Sequence, residues 1–250
     1  MPTVGLIWRA SGTTHCARPL RRSEDIGISL GASSVTDCHP KRNDKGELVA
    51  IKRPSQPTPL AAWLDPTAVA TVVPGGPMPA TLNGMSFAHW TEVPDNAEGW
   101  QALSDRELAE PEFVPHKWKA TAAGAVVEEA DGRIWLVAPS NAYGGYSATF
   151  PKGRVEPGLS LPASALKEAY EEAGLRVALS GFLADTERSQ TRTRYYLARR
   201  LGGNPADMGW ESQAVHLVPR ERLAGFLTHP NDLPLLKALL ALPSKRDSPP

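Results

Sequence analysis

Cysteine is nearly missing from this 250-residue chain, which has only Cys16 and Cys38. Two cysteines do not make a disulfide scaffold, and their scarcity suits a reducing compartment. No uninterrupted apolar run approaches the roughly 20 residues of a membrane-spanning helix, so no membrane partner is expected. The N-terminus, MPTVGLIWRASG, lacks a basic segment followed by a long apolar stretch. No secretory signal is read there, and a cytoplasmic protein is expected. Neither charge is in excess, with 27 Lys and Arg against 27 Asp and Glu. That balance argues against gripping nucleic acid by bulk electrostatics and leaves room for a local basic site. Apolar residues make up 41% of the chain, enough for a real core.

The two halves differ. Residues 1–115 hold 10 basic and 13 acidic side chains, and residues 116–250 hold 17 and 14. Thirteen of the 24 prolines fall in the first 115 residues, which is too often for long helices. Short strands are expected there at Val4–Trp8, Glu47–Lys52 and Ala68–Val73, making residues 1–115 a smaller β-rich region. Ser104 as N-cap with Glu107 three residues on reads as a capping box opening a helix to Glu110. His15-Cys16 and Cys38-His39 form a mirrored pair, but their spacing is wrong for a zinc finger, and two ordinary thiols are the better reading. Arg18, Arg21 and Arg22 read as a solvated basic turn. Trp63, Phe87, Trp90 and Trp100 are expected to form a small core.

From Lys117 the pattern sharpens. Thr121–Glu128 and Ile134–Val137 flank Asp131-Gly132, a hairpin signal. After a Gly/Tyr-rich loop and a strand at Ser147–Phe150, Pro162 opens a helix that Gly174 ends. Strands follow at Arg176–Ala184, Arg194–Arg199 and Ala214–Val218, with helices at Pro219–Phe226 and Asn231–Leu242. The order implies a mixed sheet flanked by helices, in a domain over 116–243 with a polar tail at 244–250.

On the helix, Glu168, Glu171 and Glu172 stand at i, i+3 and i+4, so their carboxylates share a face, while Ala165, Leu166, Ala169 and Ala173 give the helix a side to bury. Three adjacent acids repel one another unless solvated or neutralised by a cation, and oxygen-only ligands select Mg²⁺ or Mn²⁺.

The stretch Gly153 to Leu175 resembles the signature box of the Nudix hydrolases: a glycine, five residues, Glu, seven residues, Arg-Glu, an apolar residue, any residue, Glu-Glu, any residue, Gly, apolar. The spacing holds over 23 residues, with Leu159 in place of the first Glu and Lys167 in place of Arg. Lysine keeps the charge and loses the bidentate fork. Glu156, three residues upstream, is a candidate substitute for the missing acid. Lys119-Ala-Thr-Ala-Ala-Gly, Trp135-Leu-Val-Ala, Phe150-Pro-Lys-Gly, Val155-Glu-Pro and Thr193-Arg-Tyr-Tyr-Leu look like the branch containing diadenosine polyphosphate and diphosphoinositol polyphosphate hydrolases.

This resemblance implies an α+β fold, a Nudix-type α/β/α sandwich around the mixed sheet. It also implies a metal-dependent pyrophosphohydrolase acting on a nucleotide or polyphosphorylated small molecule. Glu168, Glu171 and Glu172 would be the metal ligands, and Glu171 and Glu172 the catalytic pair. An extra carboxylate would come from Glu187 or Glu211. Lys119, Lys152, Gly153 and Arg154 would bind substrate, with Arg188, Arg192 and Arg194 as further cations. The Tyr143–Tyr146 loop would either stack on a base or cover the sheet. ADP-ribose or nucleotide-sugar hydrolysis, and a catalytically weak nucleotide-sensing module, are the alternatives. The N-terminal half keeps open a homodimer in which it completes a partner's site.

Overall fold

A computed structural model describes residues 37–104 and 108–243. In chain order these form β1 (Asp37–Cys38), β2 (Ala50–Ile51), α1 (Ala61–Leu64), β3 (Ala70–Val72), β4 (Thr81–Leu82), β5 (Met85–Ser86) and α2 (Ala97–Leu103). There follow β6 (Ala120–Glu128), β7 (Ile134–Pro139), β8 (Lys152–Arg154), α3 (Leu161–Ala173), β9 (Leu175–Glu187), β10 (Thr191–Gly203), β11 (Ser212–Val218) and α4 (Leu233–Leu240). A seven-stranded sheet runs β3-β11-β7-β6-β10-β9, with β8 paired to β6 off this path. The β6–β10 pair is parallel and the others antiparallel, so the sheet is mixed as expected.

The turn at Asp131-Gly132 reverses the chain, Gly132 taking φ 83°. The hairpin it makes pairs only at Glu128 and Ile134 before β6 and β7 part. Residues 149–154 fill the opening: Thr149 bridges Val137, and β8 pairs with Ala122–Gly124. Glycine is needed at 124, because a Cβ there would lie 2.6 Å from the Pro151 carbonyl oxygen and 2.7 Å from the Tyr195 ring. Along the long strands side chains alternate between two cores, as period-two geometry requires. Ala123, Ala125, Val127, Trp135, Val137, Tyr196, Val215 and Leu217 face α3. Val126, Ile134, Leu136, Tyr195 and Val218 face α4 with Leu235, Leu236 and Leu239.

The start of α3 follows local chemistry: the Ser160 hydroxyl accepts from the Ala163 amide at 3.3 Å, and Pro162 lies in the first turn. Gly174 ends it at φ 66°, where a Cβ would strike the Asn204 carbonyl. Half of its buried residues are alanine (163, 165, 169 and 173), which lets the helix lie close to the sheet.

The region before 115 does not pack as a separate unit among the described residues. β3 joins β11 as an edge strand, and α2 packs on α3. The expected small aromatic core belongs to the main one: Trp63 sits 5.9 Å from Trp135 and 6.0 Å from Phe87, and Trp90 sits 5.2 Å from Tyr170. The buried Arg133 guanidinium donates to the carbonyls of Trp63 at 2.6 Å and of Ala62 and Asp65 at 3.1 Å. Arg200 pairs with Glu129 at 2.8 Å and donates to the Leu82 carbonyl at 3.0 Å.

Some expected elements shift. A helix does form just upstream, α2, which Asn96 caps by accepting from the Gly99 amide at 2.9 Å; Ser104 stands at its C-terminal end, and residues 105–107 of the helix expected at Ser104–Glu110 lie outside the described residues. Residues 219–226 form a 3₁₀ segment at Arg220–Gly225, and the last helix starts only at Leu233. Val4–Trp8, His15-Cys16, the arginines at 18, 21 and 22, and the tail at 244–250 lie outside the described residues.

Trp63→Ala is expected to lower the stability of the whole chain by about 3–5 kcal/mol. Denaturant unfolding followed by circular dichroism measures this, and a loss confined to residues before 115 would contradict the shared core.

Candidate metal-binding active site

Gly153 on β8 fixes where the acids of α3 can go. A Cβ at this position would overlap the Glu168 carboxylate, so glycine alone lets that side chain lie against the strand. One turn on, Glu172 accepts a hydrogen bond from the Lys152 amide at 2.8 Å. A strand backbone thus holds two acids that sit at i and i+4. Both are largely buried, at 7% and 8% exposure. Glu211, just before β11, completes the group: carboxylate oxygens of Glu168, Glu172 and Glu211 all lie within 4.8 Å of one another. Three hard oxygen donors so arranged fit Mg²⁺ or Mn²⁺.

The electrostatics agree. Burial, with Glu172, Glu171 and Glu211 adding their charges, pushes the Glu168 carboxyl well above the usual range. Burial likewise raises Glu172 to about 7, Glu211 adding to the effect and the Lys152 charge opposing it. Glu211 is the most open of the three, yet burial raises it too, followed by the charges of Asp44 and Glu171. A group of acids held against its own repulsion is a place that a divalent cation stabilises.

Glu171 stands apart from this group. It is half-exposed and accepts from Lys167 Nζ at 2.6 Å, and the same ammonium donates to Glu156 at 2.8 Å. Glu156, the acid expected as a substitute for the one position 159 lacks, is thus paired with Lys167, while Leu159 packs against the core. Of the two later carboxylates, Glu211 reaches the group. Glu187 is instead exposed, paired with Lys119 at 2.9 Å and Arg192 at 3.0 Å.

Among the expected substrate contacts, Lys152 stands closest to the acids, its ammonium 5.9 Å from the Tyr146 ring. Arg154 lies farther along β8, donating to Gln190 at 3.2 Å. Arg188 and Arg194 are not solvated loop cations. Arg188 is buried in an ion pair with Asp232 and donates to the Tyr146 hydroxyl at 2.9 Å. Arg194 is buried on Asp185 at 2.8 Å and the Pro111 carbonyl at 2.9 Å. Tyr146 stacks on His229 at 3.9 Å and so helps cover the sheet, whereas Tyr143 is 81% exposed. Asp44, the fourth acid near Glu211, carries no motif and gave no signal in the sequence.

The raised carboxyls imply a pH dependence. A Glu172 that holds its proton up to about pH 7 when folded, against 4.5 ordinarily, favours folding at low pH. This contribution fades as pH rises through that window. Without divalent ions, the melting temperature relative to that of Glu172→Gln should fall between these two pH values, and Mn²⁺ should restore it. A difference between the two proteins that stays flat with pH would contradict the burial of a charged carboxylate.

A family model, the NUDIX domain, matches residues 118–239. No curated protein matches the chain significantly. Among solved structures, a C. elegans Ap4A hydrolase is 25% identical, with 49% of this chain and 96% of that chain covered and a TM-score of 0.40. A NUDIX hydrolase from Nitrosomonas europaea is 21% identical, with coverage of 50% and 72% and a TM-score of 0.42. A structure from work on MutT of Aliivibrio salmonicida and Vibrio cholerae is 22% identical, with coverage of 49% and 98% and a TM-score of 0.43. The box at Gly153–Leu175 lies inside the span, residues 118–239, that matches the model of the NUDIX domain.

Proposed function

We propose that the chain is a divalent-metal-dependent pyrophosphohydrolase whose ligands include Glu168, Glu172 and Glu211. The convergence of these three carboxylates, two of them buried, carries the reading. Bound Mg²⁺ or Mn²⁺ would neutralise the oxygens of a diphosphate and lower the pKa of an attacking water. The water oxygen adds to phosphorus, the bridging P–O bond breaks, and its electron pair leaves with the departing phosphate. The water's proton passes to a carboxylate of the set. Glu211, the most open member, is placed to release it to solvent. Lys167 orients Glu171 through their ion pair, and the Lys152 ammonium, beside Glu172, would meet a non-bridging oxygen.

The substrate is a nucleoside diphosphate derivative or a polyphosphorylated small molecule, with diadenosine polyphosphates and diphosphoinositol polyphosphates the favoured classes. The box flanks and the β8 cations Lys152 and Arg154 support that choice. Magnesium, a cytoplasmic location and a small-molecule partner belong to the same reading. No helix among the described residues is long and apolar enough to cross a membrane.

The test is a panel of diadenosine polyphosphates, inositol pyrophosphates, ADP-ribose and nucleoside triphosphates with Mg²⁺ or Mn²⁺. Turnover is expected, and Glu168→Gln or Glu172→Gln should lower kcat at least about a hundredfold, because losing a ligand exceeds what losing a ligand's support costs. Tight binding without product across the panel would favour the sensing module instead.

A further inference from the structure

We propose that the segment before residue 115 is a working part of this site: it clasps the loop that carries Glu211 and so sets the affinity for the divalent ion. The inference rests on Glu211 being a ligand, as read above, but its test does not depend on hydrolysis.

The loop runs from the end of β10 to the start of β11 and belongs to the Nudix domain, yet much of what holds it comes from outside that domain. The Gly75 amide donates to the Ala206 carbonyl at 2.9 Å. Lys41 Nζ donates to the Asp207 carbonyl, and the His89 ring bonds the Asp207 carboxylate. Trp210 Nε1 donates to Asp44 at 3.2 Å, one residue before Glu211. Within the domain, the Gly209 amide donates to the Glu171 carbonyl at 2.6 Å, and the Ser140 amide donates to the Glu211 carbonyl at 2.7 Å. The segment carrying Lys41 and Asp44 is itself anchored where the chain returns toward the sheet. Asn141 Nδ2 donates to the Ala50 carbonyl at 2.8 Å, and Gln213 Nε2 to the Arg53 carbonyl at 2.9 Å.

Glu168 and Glu172 are fixed by a helix and a strand, but Glu211 comes from a connection. Loops move more than the elements they join unless something ties them down. A ligand that wanders costs affinity, and partners that orient ligands matter nearly as much as the ligands. Asp44, Lys41 and His89 act here as positioning residues through the loop, each bonded to Asp207 or Trp210.

Charge and position can be separated. Trp210→Phe keeps an aromatic ring and every charge and deletes the bond to Asp44. Lys41→Ala with His89→Ala cuts the other end of the clasp while removing positive charge, so electrostatics alone would tighten cation binding. Mn²⁺ binding to the metal-free full chain is measured by electron paramagnetic resonance, with melting temperature as the control. The clasp predicts that both variants bind Mn²⁺ about tenfold more weakly with near-native melting. Glu211→Gln should weaken binding further. Unchanged binding in Trp210→Phe, or tighter binding in the Lys41/His89 pair, overturns the proposal. Clasp-dependent Mn²⁺ binding in a protein that hydrolyses none of the panel would sink the hydrolase reading and leave this one standing. No Mn²⁺ binding by the unaltered protein would sink both.

Discussion

The mutual repulsion of Glu168 and Glu172 is the constraint around which the rest of the structure is arranged. Two carboxylates one helical turn apart would ordinarily splay into water. Here α3 lies on the sheet with its alanine face inward, and β8 passes beneath it. Gly153 leaves room for one carboxylate and the Lys152 amide holds the other. Confinement is what raises their pKa values, because burial removes the water that would have shared the charge. The fold therefore stores unfavourable electrostatics in one place, where a divalent ion relieves it.

That arrangement explains the departures from the family's box. In the resemblance, Glu and Arg at the first and second marked positions form a supporting pair. Leucine at 159 replaces one member of this pair with an apolar side chain that packs against the core. Lys167 nonetheless finds an acid on each side, Glu156 from the loop and Glu171 one turn along. A flexible single-point ammonium can bridge two carboxylates that a planar guanidinium would have to approach in a fixed plane. The pair has moved rather than vanished, and Glu171 is tied to that bridge instead of joining the tight group.

The parts of this picture that were legible in the sequence depend on short-range periodicity. The face shared by Glu168 and Glu172, the helix stop at Gly174 and the turn at Asp131-Gly132 each follow from a few adjacent residues. What was not legible depends on contacts distant in sequence. Glu187 and Glu211 looked alike as loop acids, and only the folded sheet separates them, one beside Lys119 and Arg192, the other against α3. Arg188 read as solvated because its partner Asp232 lies far along the chain, and Arg194 because the β9–β10 register that sets Asp185 directly opposite it was not read. Asn96, eight residues before Ser104, caps α2 without having been read as a helix start. The sharing of one core across position 115 was not legible either, since prolines mark where regular structure breaks and say nothing of which core the flanking residues enter.

Arg133, Trp63 and β3 show why that last point bears on chemistry. A guanidinium at the start of β7 is satisfied by carbonyls from residues 62–65, and Trp135 on the same strand is covered by Trp63 and Phe87. β11, whose first residue follows Glu211, is flanked on one side by β7 and on the other by β3. The position of Glu211 is therefore bounded by residues on both sides of position 115. An enzyme that takes a ligand from a loop must stiffen that loop by some means, and in this chain the stiffening comes largely from residues that the family pattern does not include.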